Sequence, residues 1–373
     1  MSWSPQQDAA IKAVRAWLAD TSAPQIFRLF GYAGSGKTTL AKHLTEDVTG
    51  RVLYMAFTGK AALVLRKKGC TAASTIHSAI YKPEEDPITG ETHFILNPDG
   101  PVAGAALVVV DEVSMVGEDL AKDLLSYGTK VLVLGDPAQL PPVKGEGFFI
   151  NAEPDVMLTE IHRQAQESPI IRMSMDIREG RRLVPGRYGD SRVVARRDIG
   201  KDELRAMVLG ADQMLCGLNK TRQAFNARVR EIRGLAGTQR LHHPVAGDRL
   251  VCLRNDKEKG LLNGGLWDVV DAQAEGGPVC PIEMTVTSLD FPSVCTVKVP
   301  EAFFFGTEKE LDWRVRRNVD EFTFGYALTC HKAQGSQWDH VLLFDESSIF
   351  REDRAKHLYT AVTRAAERVT VVL

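Results

Sequence analysis

The run Gly31-Tyr32-Ala33-Gly34-Ser35-Gly36-Lys37-Thr38 has the spacing G-x-x-x-x-G-K-[ST]. It follows an apolar stretch at 26–30 and precedes a helical one, the context in which such a loop wraps a phosphate chain. Its glycines let backbone N–H groups turn toward the phosphates, Lys37 places a charge on the β- and γ-phosphates, and the Thr38 hydroxyl suits Mg²⁺. Gly31, Gly34, Ser35, Gly36 and Thr39 complete the expected nucleotide-binding set. Further on, Val108-Val109-Val110-Asp111-Glu112 ends an apolar run in two carboxylates. Asp111 is expected to hold Mg²⁺ through water, and Glu112 to orient or deprotonate the attacking water. A third run ends in Gly135-Asp136-Pro137-Ala138-Gln139, where the neutral amide of Gln139 suits sensing a γ-phosphate. These residues predict hydrolysis of ATP or GTP.

The elements that must position them are short apolar runs at 26–30, 52–57, 107–110 and 131–134, alternating with helical stretches. That alternation predicts buried parallel strands in a doubly wound α/β sheet, with its ligand crevice at the carboxyl ends of the strands. Between 82 and 102, proline and glycine interrupt the pattern and predict a small excursion, read as a β-hairpin. A second α/β pattern starts near Met157, with helices expected at 169–178 and 220–233 and a strand at 213–216. From 245 to 320 the text turns strand-like and turn-rich, as in a small inserted β-barrel. The α/β pattern resumes with a strand at 341–344, a helix near 353–364 and a last strand at 369–373.

At 373 residues the chain suits two or three cores. It is 44% hydrophobic and 25% charged, the balance of a packed globular protein and not of a disordered arm. No stretch approaches the roughly 20 apolar residues of a membrane span, and Met1 to Gln7 lacks a signal pattern, so a cytosolic location is expected. The six cysteines never form a C-x-x-C pair, which leaves zinc or a disulfide framework without support. A net charge of −2 excludes coating of nucleic acid by bulk attraction, while a local basic groove remains compatible with it.

The set as a whole resembles superfamily 1 helicases, specifically the 5′-to-3′ group containing RecD and the phage Dda helicase. Ser4-Pro5-Gln6-Gln7-Asp8-Ala9-Ala10 is similar to that family's Q motif, which implies that Gln7 reads the adenine edge. Thr58-Gly59-Lys60-Ala61-Ala62 and Thr75-Ile76-His77 resemble its two strand-gripping segments, implying DNA contacts by Thr58, Lys60, Thr75 and His77. Ile161-His162-Arg163-Gln164 and Leu358-Tyr359-Thr360-Ala361-Val362-Thr363-Arg364 resemble its motifs IV and VI. That implies that Arg163 and Arg364 reach the γ-phosphate and stabilise transition-state charge. Tyr326 to Gln337 resembles motif V: Thr329 and His331 would touch DNA, and Gly335 would sit near the triphosphate. Gln337 departs from the Glu that relatives set against the ribose, which puts nucleotide discrimination in question.

The resemblance implies an α/β fold of two RecA-like P-loop domains. The first would span 1–152 with a pin-bearing insertion at about 82–102. The second would span 153–244 and 321–373, interrupted at 245–320 by an SH3-like β-barrel. ATP and Mg²⁺ would bind between the two domains, with single-stranded and forked duplex DNA as partners of a monomeric motor. His93 and Phe94 are the candidates for the pin, with Phe94 as simple packing of the excursion the competing reading. Two other functions stay open: a translocase that strips bound proteins but unwinds poorly, and a DNA-binding protein that ATP merely switches.

Overall fold

The computed structural model describes residues 3–86, 92–143, 145–160, 167–235, 242–273 and 281–373. They form two compact units, which meet in sequence at Arg181 and Arg182.

The first unit is built on a six-stranded sheet in the order Ser74–Thr75, Val52–Ala56, Leu107–Asp111, Val131–Gly135, Ile26–Gly31 and Val156–Leu158. Every pairing in it is parallel. The two central runs are buried throughout, because both faces of the sheet are covered. Alternation sends Val108, Val110, Val131 and Val133 into one core with Phe30, Ile76 and Phe149. It sends Leu107, Val109, Leu132 and Leu134 into the other, against Ala10, Val14, Trp17 and Leu40.

The expected joint at 152/153 is displaced. Val156–Leu158 pairs with Ile26–Gly31 as the sheet's edge strand, and the helix Pro169–Arg178 also belongs to the first unit. A three-residue strand carries too little pattern of its own to reveal which sheet it joins.

The excursion is an antiparallel hairpin of Tyr81–Glu85 with Thr92–Leu96, pairing Pro83 with Phe94 and Glu84 with His93. The turn expected at 87–90, and Glu91, lie outside the described residues. Its base is anchored: the Tyr81 hydroxyl donates to Asp123 at 2.5 Å, and Tyr127 donates to the Asn97 carbonyl at 2.5 Å.

The second unit holds a parallel sheet of Ala327–Thr329, Gln213–Cys216, Trp338–Phe344, Ala365–Val372 and Ser191–Val194, edged by antiparallel Gly186–Tyr188. Its insertion is a five-stranded antiparallel sheet: Val294–Pro300, Pro281–Ser288, Leu266–Ala272, Arg249–Cys252 and Phe322–Phe324. The last strand runs past the expected limit at 320, since Phe322 must pair with Cys252 to close the sheet's edge. The insertion shares one core with the α/β part: Trp267, Val286 and Phe322 continue into Met214, Leu342 and Val372. A fully buried ion pair fastens the two, Arg230 donating to both Asp248 oxygens at 2.8 and 2.9 Å.

Candidate nucleotide-binding site

The loop after Ile26–Gly31 turns into the helix Lys37–His43 through Gly34 (φ 81°) and Gly36 (φ 79°), left-handed backbone that a side chain would strain. A Cβ on Gly31 would stand 2.6 Å from Ser35 Oγ and 2.8 Å from Leu158, so the first glycine is needed for space. Lys37 Nζ donates to the carbonyls of Gly31 and Tyr32, which holds the ammonium over the loop. Ser35 Oγ is buried and has no hydrogen-bond partner among the described residues, a polar atom inside the loop that a phosphate oxygen would satisfy. Thr39 is exposed on the helix.

Asp111 ends its strand beside Ala56 and is 5% exposed. Burial, then the neighbouring Glu112 charge, pushes its pKa up, while the Thr38 hydroxyl, the Glu112 N–H and Lys37 pull the other way. A carboxylate and a hydroxyl meeting at such a point are hard oxygen donors, and they fit a Mg²⁺ that takes its remaining ligands from phosphates and water. Among the described residues no cluster of three or more His, Cys, Asp or Glu could hold a metal, so a cage made wholly of side chains is not offered. Glu112 follows at φ 55°, left-handed backbone rare for a non-glycine residue and typical of strained functional positions. Gln139 is buried on the next loop, its Oε1 accepting from Ser114 at 3.4 Å.

Gln7, expected at the adenine edge, is held against the phosphate loop. It is the third residue of the helix Pro5–Ala19 and closes a capping box: its Oε1 accepts from Ser4 N at 3.1 Å and Ser4 Oγ accepts from Gln7 N. Its Nε2 donates to the Ser35 carbonyl at 3.1 Å. The amide therefore ties the first helix to the phosphate loop, and Gln6 next to it holds Thr159 and Glu160. A residue that the motifs did not single out also braces the loop: the Arg178 guanidinium lies 3.6 Å from the Tyr32 ring centroid. The aromatic inside the glycine-rich run was its only signal.

Thr58 and Thr75 cap the helices Gly59–Lys67 and Ile76–Ile80, their hydroxyls accepting from Ala61 N and Ser78 N. Lys60 is buried. Phe57 and His77, with Met115, Pro142, Val143 and Phe148, line a depression of about 1010 Å³ that runs from the start of the helix Ile76–Ile80 to the loop following Gln139. On the hairpin His93 is exposed, and Phe94 is 71% exposed, which removes the reading of Phe94 as packing.

In the second unit, Thr329 caps the helix Cys330–Ala333, His331 faces Phe350 at 6.0 Å with burial lowering its pKa, Gly335 has φ 75°, and Gln337 is exposed. Arg364 is 4% exposed and aimed by three acceptors: Thr360 O, Ser336 O and Thr363 Oγ1 at 3.1, 3.4 and 3.2 Å. It thus shares its surround with the segment that carries Gly335. Arg163 lies outside the described residues.

A family model described as an AAA domain matches residues 2–196, more than half of the chain. The chain belongs to the AAA domain family. A UvrD-like helicase C-terminal domain matches 324–372 of the same chain. This AAA domain protein is 31% identical, over 96% of its length, to the ATP-dependent RecD2 DNA helicase of Deinococcus radiodurans, and covers 50% of that protein. It is 23% identical, over 97% of its length, to the ATP-dependent DNA helicase Pif1 of Bdellovibrio bacteriovorus, covering 85% of it. A solved structure of Bacteroides Pif1 bound to ssDNA superposes with a TM-score of 0.60 at 18% identity, covering 99% of this chain and 92% of that one. The homologues are thus RecD2 and Pif1 helicases, the superfamily 1B group. The chain spans half or less of the length of the relatives that head the comparison.

Proposed function

We propose that this chain hydrolyses ATP to move 5′ to 3′ along single-stranded DNA and to part the strands of a forked duplex. The observation that carries the reading is the convergence of Lys37, Thr38, Asp111, Glu112 and Gln139 at the carboxyl edge of one parallel sheet. Lys37 would move from the loop carbonyls onto the β- and γ-phosphates, and Ser35 and the loop amides would hold the chain of phosphates. Thr38 and Asp111 would hold Mg²⁺, which supplies charge neutralisation at the phosphates. Glu112 orients the attacking water and takes its proton, and Gln139 reports the γ-phosphate to the loop that leads to Pro142 and Val143. By resemblance, Arg364 and Arg163 add charge at the γ-phosphate. Gln7 acts through Ser35, and Gly335 and Gln337 lie toward the nucleotide.

Thr58, Lys60, Thr75, His77, Thr329 and His331 are assigned to the single strand. The hairpin is assigned as the pin, with His93 and Phe94 at the fork, and the five-stranded sheet takes the place of the SH3-like insertion. A full hydrolytic set argues against a mere switch, and an exposed aromatic on an anchored hairpin favours strand separation over stripping of bound proteins. The test is ATP turnover with and without single-stranded DNA, together with unwinding of partial duplexes carrying one tail. Turnover should rise with the strand, and displacement should require a 5′ tail. Turnover indifferent to DNA would refute the motor, and a 3′ preference would refute the polarity.

A further inference from the structure

The helix Asn219–Arg233 buries three long polar side chains along one stripe, and two of them are fully engaged. Asn226 exchanges hydrogen bonds with both the N–H and the carbonyl of Ala327, and Arg230 is paired with Asp248. Arg222 is not. It is 8% exposed, its Nε donates to Asn219 Oδ1 at 3.2 Å, and among the described residues its terminal nitrogens have no hydrogen bond and no carboxylate at ion-pair distance. Its terminal nitrogens face the open space beside the helix, where water or a ligand must complete their hydrogen bonds.

What it opens into is a separate pocket of about 240 Å³, walled by Phe304, Phe305, Phe324 and His242. Phe304 packs on Phe324 at 5.0 Å, whereas Phe305 is 51% exposed, with its ring 4.5 Å from that of His242. Gly306 shapes the mouth: at φ 79°, a Cβ there would stand 2.2 Å from Gln223 Nε2. Next to Arg222 is Lys332, an exposed lysine on the helix Cys330–Ala333 whose pKa is lowered, first by partial desolvation and then by the Arg222 charge. Among the described residues, the carboxylate whose field reaches both cations is Glu308. Lys332 follows His331 in the segment assigned to DNA.

A pair of cations beside exposed and buried rings matches an anion linked to a flat apolar ring. The geometry points to a nucleotide-binding subsite between the helix Asn219–Arg233 and the antiparallel sheet, taking one unit of the single strand. Its phosphate lies on Arg222 and Lys332, and its base against Phe305 and His242. This rests on the proposed function.

The test measures binding of a labelled oligothymidylate and an abasic strand of equal length, across a salt series, by fluorescence anisotropy. Arg222→Met should weaken both strands, roughly tenfold for the oligothymidylate, and should lower the slope of log affinity against log salt by about 0.7. Its unfolding midpoint without DNA should be close to that of wild type, since the variant keeps the buried apolar stem and removes a charge that has no ion-pair partner among the described residues. Phe305→Ala, at an exposed position, should weaken the oligothymidylate and leave the abasic strand unchanged. Wild-type affinity and slope in both variants overturn the subsite while leaving the motor standing. Weakened ADP binding with strand binding intact in Arg222→Met also overturns it, in favour of a free nucleotide. A wild-type protein that binds no strand overturns the proposed function itself.

Discussion

At the scale of single residues, Lys37 is held by two loop carbonyls and Glu112 by a left-handed backbone. The Lys37 ammonium rests on the Gly31 and Tyr32 carbonyls, and exchanging them for phosphate oxygens costs little reorganisation. Lys37→Ala is therefore expected to cut ATP turnover by on the order of a hundredfold or more at saturating ATP. Retention of half the rate in a steady-state assay would refute its place. Glu112 holds a left-handed φ of 55°, a strain of about 1 kcal/mol or more that nearby packing must offset. Glu112→Gln keeps the shape and loses the base, so nucleotide binding should persist while single-turnover hydrolysis falls sharply. Hydrolysis at the wild-type rate would move the base elsewhere.

At the scale of elements, the hairpin separates anchoring from exposure. Tyr81 ties its base to Asp123 on the helix Glu118–Leu125 and Tyr127 holds Asn97 at the end of its second strand, while Phe94 stands 71% exposed. Such a ring can substitute for a stacking partner at a fork, where one base step is worth roughly 1–2 kcal/mol. Replacing 91–96 by a short Gly-Ser turn should abolish unwinding and spare DNA-stimulated turnover. Unwinding that persists in the folded variant places the wedge elsewhere. The helix Asn219–Arg233 illustrates the opposite arrangement, since Arg230 has both its charge and its donors satisfied at Asp248. Asp248→Asn leaves that cation without a counter-charge and is expected to destabilise the second unit by about 3–5 kcal/mol. Chemical unfolding followed through Trp267 would measure it, and a loss under 1 kcal/mol would contradict the account.

At the scale of the whole molecule, the two units need not share a stability, and acid should separate them. His357 is wholly buried in the second unit, stacked on Phe350 with centroids 4.1 Å apart, and neither ring nitrogen has a hydrogen-bond partner among the described residues. Burial first, then His331, pushes its pKa down to about 4, while Asp345 and Glu346 act weakly in the other direction. A histidine with a lowered folded pKa stays neutral in the fold while the unfolded chain takes a proton. Its contribution is thus complete above about pH 6.5 and is lost as pH falls toward 4, by about 3 kcal/mol at most. Calorimetry should show the second unit's transition dropping across that window, and His357→Phe should flatten the drop. An unchanged slope in that variant would assign the acid sensitivity to other groups.

The phosphate loop, the Asp111-Glu112 pair and the parallel strands were legible in the sequence because each depends on local order. Glycines at set spacing, an acidic pair ending an apolar run, and uniform burial of 107–111 and 131–135 leave a pattern that survives without knowing what packs where. Tertiary structure alone decided what depends on partners distant in the chain. Val156–Leu158 joins the first sheet because Ile26–Gly31 has a free edge there, and Phe322 completes the second insertion by pairing with Cys252. The capping box of Ser4 and Gln7 has its own spacing, but the bond from Gln7 to the Ser35 carbonyl and the laying of Arg178 over Tyr32 join segments far apart in the chain, which no spacing rule encodes. The same holds for arginines one helix face apart: Arg230 and Arg222 look alike as letters, and only the presence of Asp248 beside one and an open pocket beside the other makes them different. Motifs are written by neighbours along the chain, whereas burial and pairing are set by neighbours in space.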